Sequence, residues 1–529
     1  MKRFTLALAL AMTMLLGAAL AVQAIEITST GSFEFNFGFY ANYLLFNSNE
    51  GRAPSSTMNG SGHAPDFSQG TEEHFEALQR VRMQLNFVAS ENVQGVLLFE
   101  IGGLEWGTSN GSMVGGGALR TGPGGGGGIG TDGVSISTRR AYIDFNIPNT
   151  ELMFRVGLQG MDLPAAVAGS PILGNSGSDM AAVLAVYTIN DMISIAGFWA
   201  RPWNTNHPFD APNHQNDEMD VFGLIVPITV EDVGSFTPYG LFGSLGTNAV
   251  MTTSGNFPGL YTNALLTQTF TNRNGLLSHD YMYPWWVGGA VSFTMLDPLI
   301  FGMDVVYGGM KGADRMMDRG GWYLAGKAAY KTEWVTPTLI GWWTTGDDSN
   351  IYNGSERMPS IDANFNATTF GYNGGDALGR GNNALSNANG YDATTAGTWG
   401  VALQLNDISF IEDLTHQFIV AYVGGTNSTR SMRDPRTFNV SWSPYYSNPA
   451  NILLTTADHL WEVDFNHKYQ MYENLAVFCE MGVIDITRSR GPWRAPENRS
   501  NDPSFNPAVM KLYNTSTAWK LTFGLQYMF

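Results

Sequence analysis

Charge is scarce in this sequence. Only 14% of its 529 residues are Asp, Glu, Lys or Arg, against roughly 25% in an ordinary soluble domain. A bundle of surface helices needs many Lys and Glu, so the composition argues against that architecture. Basic residues are the scarcer sign, 28 against 46 acidic ones, for a net charge of -18. That balance repels phosphate backbones, so no nucleic-acid partner is expected. Cysteine is nearly absent: with Cys479 alone, neither an intrachain disulfide nor a thiolate zinc cage can form. HExxH is missing, which removes the motif of zinc metalloproteases. The 8 histidines are scattered, and no metal or cofactor is expected. Disorder is excluded by what is present: 44% hydrophobic residues, 12% aromatics and 62 glycines.

The chain opens with Lys2 and Arg3, then an apolar run from Phe4 to Val22 broken only by Thr5, Thr13 and Gly17. Val22 and Ala24 stand at the two positions a signal peptidase reads. A membrane-anchor helix is the rival reading, because the run is nearly long enough to span. The expectation is a cleaved signal over 1–24 and a single domain over 25–529 that begins at Ile25. Removing Lys2 and Arg3 lowers the basic count from 28 to 26 against 46 acidic residues, a net of -20. No second helix-length apolar stretch follows, which leaves a soluble exported protein or a barrel that spans an outer membrane as strands.

Alternation favours the barrel. Phe33, Phe35, Phe37 and Phe39 fall on one face of a strand, with Ser32, Glu34, Asn36 and Gly38 on the other. Val81, Met83, Leu85 and Phe87 alternate with Arg80, Arg82, Gln84 and Asn86. Ala141, Ile143 and Phe145 alternate with Arg140, Tyr142 and Asp144, and Phe154 and Val156 flank Arg155. Short turns such as 90–92, 148–150 and 472–474 are interleaved with long polar segments near 47–72, 107–135, 346–396 and 426–457. Short turns at one end and long loops at the other fit an outer-membrane barrel, and a soluble sandwich has no reason to segregate them. The glycine run 115–130 lacks the Lys-Ser or Lys-Thr of a phosphate-binding loop and reads as a solvated loop. Trp285-Trp286 and Trp342-Trp343 sit at strand ends, where an aromatic girdle belongs. About eighteen strands are expected, with sixteen left open, and barrels of that size enclose an aqueous channel. The last strand carries Phe523, Leu525, Tyr527 and Phe529 on one face and resembles the terminal signal read by the barrel-assembly machinery.

The lumen has candidate residues. Arg80, Arg82, Arg140 and Arg155 lie on wet faces, because an arginine on the lipid face costs about 2–4 kcal/mol at the midplane. Stacked across neighbouring strands they form a basic ladder that attracts anions, or one that simply rigidifies the wall. Asp144 and Glu100 are available to pair with some of them. After the fifth strand comes 161–179, small, apolar and proline-marked, with Asp162, Pro164, Ser170, Pro171 and Asp179. It suits the inside of a barrel wall, like the constriction loop of trimeric general porins. Most of the acidic excess is expected in loops, for example Glu72-Glu73, Asp217-Glu218 and Asp347-Asp348.

FEALQRVRMQLNFVASENVQGVLLFEIGGLEWG from Phe75, RRAYIDF at 139–145, GLQGMDLPAAVAGSPIL at 157–173 and FWARPWN at 198–204 resemble homotrimeric outer-membrane porins of sulfate-reducing bacteria. The similarity covers Glu72 to Asn204; the glycine run and Gly174-Asn175-Ser176 depart from it. The resemblance implies a β-barrel homotrimer in a Gram-negative outer membrane, in contact with lipid and lipopolysaccharide. The expected function is passive diffusion of small hydrophilic solutes and ions, not catalysis. A channel specific for sugars or organic anions is the alternative. A secreted β-rich adhesin or binding protein would leave Phe529 and the one-sided loops unexplained. Asp347-Asp348 and Asp458-His459 supply the dipeptides of an outer-membrane protease, but such proteases are small barrels. N-terminal sequencing of the exported chain is expected to start at Ile25; retention of Lys2 and Arg3 would identify an anchor instead.

Overall fold

The computed structural model describes residues 25–42, 74–106, 136–174, 178–204, 218–246, 281–311, 318–350, 353–363, 365–371, 397–430, 454–491, 515 and 517–529. The expected export signal 1–24, the glycine run 115–130 and Glu72-Glu73 lie outside the described residues. The strands are β1 (Glu26–Ala41), β2 (His74–Ser90), β3 (Val93–Glu105), β4 (Ile136–Asn146), β5 (Leu152–Gly160), β6 (Asp179–Asn190), β7 (Ile193–Asn204), β8 (Glu218–Ile225), β9 (Ile228–Val230) and β10 (Gly234–Gly246). They continue as β11 (Tyr281–Phe293), β12 (Leu299–Lys311), β13 (Arg319–Tyr330), β14 (Thr336–Thr344), β15 (Thr398–Ile411), β16 (Leu414–Gly425), β17 (His459–Tyr472), β18 (Leu475–Thr487) and β19 (Ala518–Met528).

Pairing is antiparallel throughout, and β1 pairs with both β2 and β19, so the sheet closes on itself. β8 and β9 share one stave, interrupted at Val226-Pro227, since both pair with β10. The 19 strands among the described residues therefore make an eighteen-stave all-β barrel. At the seam Gly31 and Phe529 exchange backbone hydrogen bonds of 2.9 and 3.0 Å. Short turns occupy one end. Asn149, Asp232 and Asp413 take positive φ there, a conformation Asn and Asp tolerate through local side-chain hydrogen bonds.

Strand alternation sorts the side chains. Phe33 and Phe39 are exposed on the outer wall, while Glu34 and Asn36 between them are buried inside. The tryptophan pairs obey the same rule, which corrects the girdle expectation. Trp285 and Trp343 face outward, but Trp286 and Trp342 point in and are buried, because adjacent residues on a strand face opposite ways.

The interior is not uniformly wet. Along β6 to β14 most inward positions are apolar, among them Phe198, Leu241, Trp286, Val306, Tyr323 and Ile340. Two loops turn inward to cover them. The first, 161–174 after β5, buries Leu163, Ile172 and Leu173. The second corrects the reading of 346–396 as an outer polar loop: 353–363 and 365–371 enter the barrel and bury Met358, Ile361, Phe365 and Phe370. The sequence of this segment is polar on average, but its apolar residues are spaced to meet the apolar wall. Trp286 holds it, donating from Nε1 to the Pro359 carbonyl at 2.7 Å. Trp286→Ala removes a fully buried ring and that bond, and is expected to cost about 3–5 kcal/mol, read as a lower urea midpoint in detergent micelles.

Candidate functional site

The two inward loops meet as one septum. Leu173 and Asp362 form a parallel bridge, and Ile361 and Asp362 both donate to the Ile172 carbonyl at 2.9 Å. Gly174 donates to the Asp362 carbonyl, Asn366 to that of Ala168, and the Ser178 hydroxyl to the Asp362 carboxylate at 2.5 Å. Asp162 is exposed on the septum's free rim, with Pro164 partly exposed near it. Ser170 and Pro171 are buried within the loop, where Ser170 Oγ accepts from the Ile172 and Leu173 amides.

Buried carboxylates on the wall clasp the septum by its backbone. On β12, Asp304 accepts from the Ala166 amide at 2.7 Å and the Val167 amide at 2.9 Å. Gly302 makes the approach feasible, since a Cβ there would meet the Ala166 carbonyl at 2.6 Å. On β17, Asp464 accepts from Thr369, and Glu462 from Phe370 and Gly371, at 2.7–3.0 Å. Lys520 on β19 donates to the Thr369 carbonyl and, at 3.0 Å, to Glu480. These acids are inside the barrel, apart from the loops in which most of the acidic excess is expected.

The opposite wall, β2 to β5, carries the arginines. Arg80 pairs with Glu34 (Nε to Oε2, 2.6 Å) and both are buried. Arg82 donates to Glu100 at 2.9 Å. Arg155 grips Asp144 with two bonds of 2.7 and 2.8 Å and lies 4.4 Å from the Tyr142 ring centre. Arg140 donates to Asp179 at 2.8 Å, and Gly160 leaves room for its guanidinium. Side-chain exposure is 25–36% for Arg82, Arg140 and Arg155 but 7% for Arg80. Water therefore reaches the first three and not the fourth. The inner wall of β2 to β5 is thus solvent-accessible at these three side chains.

Strict alternation places Arg139 on the outer face, and the structure places it inside. The ladder slips between Leu98 and Phe99, which face Arg140 and Thr138. Arg139 is the extra residue of this bulge and turns inward beside Arg140. It bridges Glu100 at 2.9 Å and Asp179 at 2.6 Å. The signal was present in the sequence, since two adjacent arginines cannot both face inward without a bulge. Glu34, Asp304, Glu462 and Asp464 were also missed as site residues; Asp304 is the single acid of β12, and Glu462 and Asp464 stand two apart on β17. The ladder is thus largely neutralised. Five arginines (80, 82, 139, 140 and 155) face Glu34, Glu100, Asp144, Asp179 and, on the rim, Asp162, so these ten charges cancel. Partial burial raises the Asp162 pKa above its ordinary value; Arg140 opposes this, and Asp179 and Asp362 add to it. At the end of the chain Phe523, Tyr527 and Phe529 are exposed on the outer wall, with Leu525 partly so.

No protein-family model and no curated protein matches the chain. Solved structures are similar along most of its length. Pseudomonas aeruginosa OccK8 (OprE) shares 9% identity at a TM-score of 0.48, covering 95% of this chain and 98% of that one. A BenF-like porin from Pseudomonas fluorescens Pf-5 shares 11% at 0.46, covering 95% and 99%. Pseudomonas aeruginosa OccK2 (OpdF), solved with glucuronate, shares 9% at 0.48, covering 95% and 98%.

Hydrogen bonds to a charged acceptor contribute about 1.5–3 kcal/mol each. Asp304→Ala is therefore expected to free the tip of the first loop, raising single-channel conductance and its noise in planar bilayers.

Proposed function

We propose that this chain is an outer-membrane diffusion porin. The observation that carries this reading is the inversion of the barrel's surfaces: large apolar side chains cover the outer wall, while ion pairs line a water-accessible inner wall. A soluble sandwich would bury that apolar face, and only a lipid slab or another apolar surface can cover it here. Small hydrophilic solutes and ions cross beside β2 to β5, with size limited by the septum. The assembly is a homotrimer in contact with lipopolysaccharide, like the porins of sulfate-reducing bacteria that the sequence resembles, and the chain catalyses no reaction.

Ion preference follows from the charge sum. A passage whose arginines are matched by carboxylates discriminates weakly between anions and cations. In planar bilayers the purified protein is expected to form channels with a reversal potential near zero in a salt gradient. Glu100→Gln uncovers Arg82 and Arg139 and shifts it towards anions. Replacing Arg80 and Arg82 together by Ser shifts it towards cations, and no change would remove this wall from the permeation path. Asp162 has the raised pKa, so it is protonated on acidification before an ordinary aspartate. The passage then gains one net positive charge, anion preference rises, and Asp162→Asn abolishes that early step. A protein soluble without detergent that makes no channels would end the porin reading, and unheated gel mobility tests the trimer.

A further inference from the structure

Two imidazoles interrupt the apolar outer wall. His416 on β16 and His467 on β17 stand directly opposite in register. Both belong to the outward set, which on β16 continues through Phe418, Val420 and Tyr422 and on β17 through Phe465, Val463 and Trp461. Their Nδ1 atoms are 2.6 Å apart and their rings cross at 87°. Phe465 packs edge-on against His467, with ring centres 4.2 Å apart, and Phe418 packs on Phe465. A neutral imidazole has one N–H and one lone pair. Two Nδ1 atoms that face each other therefore share one proton or share one cation.

We propose that His416 and His467 are a cross-strand chelate for a divalent transition-metal ion of the zinc, copper or nickel class. Imidazole nitrogen suits these ions. Metal–nitrogen bonds of about 2.0–2.1 Å at tetrahedral angles put the two nitrogens roughly 3.3 Å apart. The pair reaches that spacing by small ring rotations, because the terminal torsion of histidine is broad. Among the described residues no group of three or more His, Cys, Asp or Glu forms a metal cluster, so the other coordination positions open outward to water or a lipid oxygen. Cys479 lies opposite His467 on β18, on the side away from His416, and is not a ligand. The ion would staple β16 to β17 where the wall is irregular. β15 and β16 slip register at Leu405, Ile408 and Ile411, and β17 and β18 slip at Gln470.

The test uses the full chain in detergent micelles with Zn2+ alone, in competition with a chromophoric chelator, and Cu2+ with electron paramagnetic resonance. The expected result is one equivalent whose affinity falls roughly tenfold or more in His416→Ala and in His467→Ala, since each removes one of two ligands. It persists in His459→Ala, an outward histidine at the opposite end of β17. The copper signal of the wild type shows two nitrogens, and that of each single variant shows one. Binding and spectra unchanged in both variants would overturn the proposal. Histidines outside the pair contribute a background that the double variant measures. Because neither ring faces the lumen, conductance of the variants should equal that of the wild type. A variant that fails to insert is replaced by His416→Phe or His467→Phe, which match their aromatic neighbours.

Discussion

The structure depends on one requirement, that every backbone donor and acceptor in the wall finds a partner within the sheet. In an apolar slab an unpaired N–H or C=O costs several kcal/mol, and only a closed ring leaves no edge. The bond exchange between Gly31 and Phe529 is where the ring closes. Once it is closed, each strand has an inside and an outside, and the period of two distributes side chains between them. The outward phenylalanines and the inward acids of β1 follow from that alone.

Inside, the same rule operates on loops. A segment crossing a lumen has backbone groups that no strand supplies with partners. Here wall carboxylates serve, Asp304 for the first loop and Glu462 and Asp464 for the second. Each acid accepts N–H groups where water is excluded, which accounts for carboxylates on the inward face of β12 and β17. The arginine wall uses carboxylates differently. There they balance guanidinium charge, and a buried pair such as Arg80 and Glu34 survives because both members are hydrogen-bonded. The interior is thereby divided into a dry arc filled by the septum and a polar arc left to water.

Much of the wall was legible in the sequence because alternation, turn chemistry and the terminal strand are local signals. The strand positions and the inward arginines at 82, 140 and 155 could be read directly. Arg139 was missed, because a bulge breaks the periodicity on which the reading rests and only the adjacent Arg140 signals it. Trp286 and Trp342 were misplaced because proximity to a strand end was weighed above parity. The second inward loop was invisible for a different reason. Met358, Ile361, Phe365 and Phe370 have no repeating spacing, and their partners lie on strands far away in the chain. Long-range contacts of that kind leave no mark in a short window of sequence.

The bridge between Leu173 and Asp362 has a bearing on assembly. It ties a loop carried by β5 and β6 to one carried by β14 and β15. Those hairpins lie on separate arcs of the ring, and the second loop is also fastened to β17 and β19. In a partly curled sheet these arcs diverge, and the strut between them has nothing to rest on. The loop-to-loop strut thus requires both arcs to stand at their final separation. A misregistered or unclosed intermediate would keep its loops loose, and quality control could distinguish it from the finished barrel by that slackness alone.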